Sequence, residues 1–559
     1  MNNLEQLSRN HLADQSPSSH IIRHVMKKTF LILTALAPLI TLTSTADVTP
    51  AALFTDHMVI QRDTQAPVWG SADAGEKVIV TASWGANVST TADKDGKWKV
   101  ALKTPAAGGP HTITLKGNNS IKINNVLSGE VWFCSGQSNM DFYLKQLRKS
   151  KPGRTQPEDI ITAEYINKEV TTAADDQLRQ FEVQKKTSPF EPLDSLNGNW
   201  ISSSPKTNDN FSATAYFFAR ELRKELKVPV GIIKCAWGGT LVEPWIPVDA
   251  YQDDKDMVAY MQQEHTSLKK AIENWDPKKK KKGNRRRAPQ SPITNQQIPT
   301  TLFNGMVNPV IPYAIKGAIW YQGESNASHN ITQYTKHFQA MISGWREHWG
   351  QGDFPFYFAQ LASFRGEASN PVEHDAWASI CDQQRRTLSL KNTGMAVLND
   401  IGEAKDIHPH NKVDVGIRLA LWALKNDYGK DLAACSGPLY KSHKMENSKV
   451  IITFDHAGSG LMTGSKNNIE PTVETKAPIK GFQICGKDRK WQWAEAKISG
   501  PNTVTISHQG VPQPTVVRYA WAANPGEVNL YNKEGLPTSI FTTEVEIPAY
   551  VSPKTKKKR

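Results

Sequence analysis

From residue 47 to about 127, apolar and polar positions alternate over short runs at 58–61, 66–70, 77–81, 97–101 and 111–115, with Gly and Pro turns between them. Turn signals every 8–12 positions around period-2 segments predict a β-sandwich over 47–127. The pattern then changes. Apolar strand-like runs at 131–134, 228–236, 317–321, 354–359 and 395–398 alternate with helical periodicity at 213–226, 333–349 and 411–426. Repeated βα units of this length predict a parallel sheet with helices on both faces over 128–436, interrupted by an insertion or lid at about 240–300. Short strands return at 450–454, 503–506 and 516–521, predicting a second β-sandwich over 437–550. Arg518, Trp521 and Asn529 to Asn532 are read there as core and turn residues rather than a sugar platform.

A chain of 559 residues exceeds a single core, which stops growing near ~250–300 residues, so several domains are expected. The net charge of +13 invites a nucleic-acid reading, but its location does not support one. Lys278 to Lys282 with Arg285 to Arg287, and the tail at 551–559 with its four lysines and Arg559, account for the whole excess. Both runs are compact and lack interleaved aromatics, so they read as a solvated loop and a frayed basic tail, and no nucleic-acid partner is expected. Lys27 and Lys28, the apolar run from Phe30 to Leu42, and Ser44-Thr45-Ala46 have the form of a secretory signal peptide at 26–46, within a leader at 1–46. The run is short of the ~20 residues of a membrane span, and no cysteine marks a lipid anchor. A secreted or periplasmic bacterial protein without a membrane anchor is the expected outcome. The five cysteines are few, odd in number and unpatterned for metal; an oxidising compartment leaves room for one or two disulfides, whose connectivity sequence does not give, and none is assigned.

Three loops, each following an apolar run, carry candidate chemistry: Gly136-Gln137-Ser138-Asn139-Met140, Gln322-Gly323-Glu324-Ser325-Asn326 and Asp406-Ile407-His408-Pro409. A parallel sheet delivers such loops to one edge, where open α/β sheets bind ligands. Ser138 is the candidate nucleophile, since its hydroxyl would stand where a helix start offers backbone N–H donors. Helix capping explains a serine, but not the flanking Gly136, Gln137 and Asn139. The motif is not Gly-x-Ser-x-Gly, which argues against an α/β-hydrolase elbow. His408 is the candidate base, preferred to His410 because Pro409 fixes its backbone and Asp406 lies nearby. Oxyanion donors have two possible sources: Gly238-Gly239-Thr240, or the side chain of Gln322 or Asn326. No cluster has metal-ligand spacing, so neither metal nor cofactor is expected. The chemistry predicted is acyl transfer.

With these residues in view, the chain resembles the sialate O-acetylesterase family. The matching blocks are 129–140, Trp237-Gly238-Gly239-Thr240, Trp320 to Asn326 and Asp406 to Pro409, in order, with further likeness at 53–62, 517–521 and 529–532. The resemblance implies an SGNH-hydrolase-like three-layer α/β catalytic domain between the two sandwiches. It also implies Ser138 as nucleophile, His408 as base, and an oxyanion hole formed by the Ser138 N–H, a glycine N–H of 238–239 and the Gln322 or Asn326 amide. One departure is that the SGNH pattern places Asp three residues before His, whereas position 405 is Lys and the nearest acid is Asp406. Asp406 is therefore expected to orient His408 less strongly than a full triad member does. The implied substrate is an O-acetylated sugar, sialic acid by the resemblance, with acetylated xylan or another acetylated polysaccharide as the alternative. A non-catalytic carbohydrate-binding protein is the rival from another class.

Overall fold

A computed structural model describes residues 47–148, 157–252, 254–276 and 290–546. The leader and signal peptide at 1–46, the Lys/Arg run at 278–287 and the basic tail at 551–559 lie outside the described residues.

The N-terminal region contributes β1 (Thr49–Pro50), β2 (Val59–Gln61), β3 (Gln65–Ser71), β4 (Lys77–Ala82), β5 (Asn87–Thr91), β6 (Lys97–Lys103) and β7 (Gly108–Lys116). Period-2 alternation builds them: in β6 the lysines are exposed while Trp98, Val100 and Leu102 are buried. Strands β1, β3 and β6 form one antiparallel sheet. The others join β8 (Ser120–Gly136), a 17-residue strand that crosses the position where a domain boundary was expected. Its first part pairs with β7 and β2, and its second part lies at the centre of a parallel sheet. The N-terminal strands and the central strands therefore share hydrogen bonds through one continuous backbone.

The remaining central strands are β9 (Asp175–Glu182), β10 (Trp200–Ser203), β11 (Val230–Ala236), β12 (Gly317–Tyr321), β13 (Phe356–Ala359) and β14 (Thr393–Ala396). Their spatial order is β10-β9-β11-β8-β12-β13-β14, all parallel except β10. The chain leaves β8 to build the β11 side and then returns to build the β12 side, so a topological switch point falls beside β8. A crevice opens at the carboxyl ends of the strands at such a point. Every residue of β11, β12 and β13 is buried, as expected of strands covered on both faces.

The helix Ala213–Leu226 matches its expected bounds, with the Ser212 hydroxyl accepting from the Ala215 N–H as cap and Lys227 ending it in the left-handed region. Asn411, expected as the first residue of the last helix, instead caps Lys412–Asn426 by accepting from the Asp414 N–H. The 240–300 stretch contains the helix Lys255–Glu273. Beyond residue 437 three further sheets form, of four, three and four strands. Arg518 is fully buried there against Glu544 and lies over Trp491 and Trp521 at 4.1 and 4.4 Å. The whole is a mixed α/β protein with a mixed central sheet and several further β-sheets. All five cysteines are buried and unpaired. No helix among the described residues is long and apolar enough to cross a membrane.

Candidate active site

The switch point gathers the three chemistry-bearing loops. Strand β8 ends at Gly136, whose φ of 139° is left to glycine and where a Cβ would lie 2.2 Å from the Tyr321 carbonyl oxygen of β12. The chain then turns into the short helix Ser138–Asp141, placing Ser138 half-buried at the sheet edge. Ser138 Oγ lies 2.9 Å from His408 Nε2. His408 Nδ1 in turn lies 3.2 Å from Asp406 Oδ1, which also accepts the His408 backbone N–H at 3.0 Å. The two-residue spacing thus lets one carboxylate oxygen hold both the backbone and the ring of His408. Phe142 stacks on that ring at 5.4 Å, with the planes 23° apart. His410, the competing histidine, is buried and bound to Glu403 at 2.8 Å.

The residues flanking Ser138, which capping left unexplained, have structural tasks. Gln137 Oε1 accepts from the Gly323 and Ser325 N–H groups, at 3.4 and 3.3 Å. Asn139 Nδ2 donates to Glu324 at 2.5 Å and to the Ile407 carbonyl at 3.1 Å. The first block therefore ties the second and third to the Ser138 turn. Two buried ionisable side chains, Glu324 and Lys412, went unrecognised in the sequence. Burial pushes the Glu324 carboxyl up, against the Asn139 hydrogen bond. Burial also pushes the Lys412 ammonium down to about 8, against the pull of Glu403, Glu324 and Asp406. Lys412 donates to the Pro409 carbonyl and so supports the loop beneath His408.

The expected oxyanion donors divide. A Cβ on Gly238 would sit 3.3 Å from the Ser138 Cβ, so the Gly238 backbone lies against Ser138. Gly239 follows it with φ 75°. Gln322 and Asn326 require a correction: both are fully buried and spend their polar atoms elsewhere. Gln322 Nε2 donates to the Thr240 carbonyl (3.1 Å) and to Asn326 Oδ1 (2.7 Å), and its Oε1 accepts from Tyr334 (2.9 Å). Asn326 Oδ1 also accepts the Val242 N–H (3.0 Å), and its Nδ2 donates to Glu243 (3.1 Å). An amide NH₂ has two hydrogens, and both of Gln322's are committed. These side chains brace the Gly238–Val242 turn, and their amide hydrogens are engaged there.

Glu243 anchors that brace, receiving His337, Asn326 and Asn330, each at 3.1 Å. Burial pushes its carboxyl up, but the hydrogen bond and charge of His337, with the two amides, outweigh this and hold it below the ordinary carboxylate range. A depressed folded value means that its contribution is full above the unfolded pKa of about 4.3 and is lost as pH falls through the lower folded value. We expect Glu243→Gln to destabilise the protein by about 1.5–3 kcal/mol at neutral pH. The thermal midpoint of the variant should also fall less steeply below pH 4 than that of wild type, as followed by calorimetry across pH.

Serine, imidazole and carboxylate in hydrogen-bond sequence at the sheet edge have the arrangement of a serine-type acyl-transfer site. Comparison with known proteins narrows this class. A family model described as carbohydrate esterase, sialic acid-specific acetylesterase, matches residues 128–275 and 290–425. The sialate O-acetylesterase of Rattus norvegicus is 29% identical over 547 residues, covering 89% of this chain and 94% of the relative. That of Homo sapiens is 26% identical over 520 residues, covering 85% and 88%. The crystal structure of a carbohydrate acetylesterase from Xanthomonas citri is similar at a TM-score of 0.71 and 34% identity, covering 89% of this chain and all of that one. The chain belongs to the sialic acid-specific acetylesterase family of carbohydrate esterases.

Proposed function

We propose that the protein is a serine esterase that removes O-acetyl groups from sialic acid. The observation that carries this reading is the 2.9 Å contact between Ser138 Oγ and His408 Nε2 in a chain of this family. His408 takes the Ser138 proton as Oγ attacks the acetyl carbonyl carbon, and the C=O electron pair moves onto oxygen. The Ser138 and Gly238 N–H groups hold that oxyanion. Collapse expels the sugar oxygen, which takes the proton from His408. Water, deprotonated by His408, then releases acetate from acetyl-Ser138. Asp406 keeps the proton of His408 on Nδ1, so that Nε2 is free to accept. The SGNH-like three-layer domain between two β-sandwiches remains our reading of the architecture, and residues 26–46 our reading of a secretory signal.

A second reading keeps the mechanism and changes the sugar, because the Xanthomonas citri neighbour is named only as a carbohydrate acetylesterase. Acetate release from O-acetylated sialic acid and from acetylated xylan separates the two. We expect release from sialic acid. Release from xylan alone would move the substrate to a neutral polysaccharide, and release from neither would favour a binding protein.

A further inference from the structure

Sialic acid differs from the neutral sugars of plant polysaccharides by a carboxylate, so an enzyme that selects it needs a cation free to meet that charge. Most cations around the catalytic edge are already committed. Lys185 and Lys234 pair with Asp141, Arg385 and Arg386 with Asp382, Arg418 with Asp400, and Lys466 with Asp414. Arg365 and Lys405 are both exposed, and neither side chain makes an ion pair or hydrogen bond among the described residues.

Their backbones are brought together next to the catalytic histidine loop, and the Arg365 guanidinium lies 5.9 Å over the Phe364 ring. The Arg365 N–H donates to the Ala404 carbonyl at 3.1 Å, Phe364 bridges to Glu403 in parallel, and Glu403 bridges to Asp406. On the other side, Asn524 Nδ2 donates to the Arg365 carbonyl at 2.8 Å. The clamped residue has φ 82°, in the left-handed region that a long side chain rarely adopts and that recurs at ligand-binding positions. Lys405, the residue where the SGNH pattern has its aspartate, sits next to Asp406.

We propose that Arg365, seconded by Lys405, binds the substrate carboxylate and selects sialic acid over neutral acetylated sugars. The proposal rests on the functional reading above and adds to it the group that recognises the charge. A guanidinium presents a planar fork that matches a carboxylate with two parallel hydrogen bonds, and the lysine adds a point charge. Neither residue touches the reacting atoms, so both set specificity.

The test compares acetate release from an O-acetylated sialic acid with release from its C1 carboxamide, which has the same shape without the charge. Wild type should favour the free acid by about tenfold or more in kcat/KM, carried mainly by KM and shrinking at high salt. In Arg365→Gly, which keeps the left-handed backbone free of strain, combined with Lys405→Ala, the preference should collapse toward one. Because the readout is a ratio within each protein, a general loss of folded enzyme does not imitate it. A preference that survives in the double variant, or is absent from wild type, overturns the proposal alone. Wild type that deacetylates xylan but not sialic acid overturns the functional reading with it.

Discussion

Replacing Ser138 by alanine is expected to lower kcat for acetate release by about 10⁶-fold while the fold is retained. The change removes the oxygen that forms the acyl-enzyme, and among the described residues no other side chain stands at hydrogen-bond distance from His408 Nε2. The hydroxyl is half-buried and makes no contact on which the sheet depends, so the thermal midpoint should stay close to wild type. Some acceleration over water should persist, because the Ser138 and Gly238 N–H groups belong to the backbone and survive the substitution. Stopped assays on an O-acetylated sialic acid, with calorimetry on the same samples, measure both halves of this expectation.

His408→Ala is expected to cost nearly as much, and Asp406→Asn clearly less. Nucleophile and base act as a unit, so the double variant Ser138→Ala/His408→Ala should be barely slower than either single one. Asp406→Asn leaves His408 in place but can stabilise the wrong tautomer, a loss of about 10⁴-fold at most. Three features of the structure set the direction. The Asp406 contact to Nδ1 is long at 3.2 Å, its Oδ1 is shared with the His408 backbone N–H, and Phe142 separately holds the ring by stacking. If Asp406→Asn loses as much as His408→Ala, the carboxylate is a full triad member despite its two-residue spacing. Steady-state rates of the four variants decide the matter.

The sequence made the Ser138–His408 pairing legible because its cues are local. An apolar strand followed by Gly-Gln-Ser-Asn, and Pro beside His, report backbone turns that the residues themselves dictate. The parts that were not legible depend on long-range partners. Strand β9, with the sequence Asp-Asp-Gln-Leu-Arg-Gln-Phe-Glu, lacks an apolar pattern, yet Arg179 is buried in it because its guanidinium donates to the His57 and Asn125 carbonyls. Only the folded N-terminal region supplies those acceptors. In the sequence alone, the loop after 317–321 offers the Gln322 or the Asn326 amide as an oxyanion donor, because nothing local shows what either amide binds. Their true partners, Thr240, Val242 and Glu243, lie some eighty residues earlier in the chain. The expected boundary at 127/128 fails to appear as a break in secondary structure because β8 satisfies period-2 alternation in its first half and full burial in its second. Composition shifts there without interrupting the strand.

The account stands most directly on a covalent acetyl-Ser138. Wild-type protein turning over an O-acetylated sialic acid should be quenched in acid, digested and read by mass spectrometry. The account predicts that the peptide carrying Ser138 gains the mass of an acetyl group, and that Ser138→Ala gains none. Acetylation at another residue that vanishes with loss of activity, or rapid acetate release by Ser138→Ala, would contradict it.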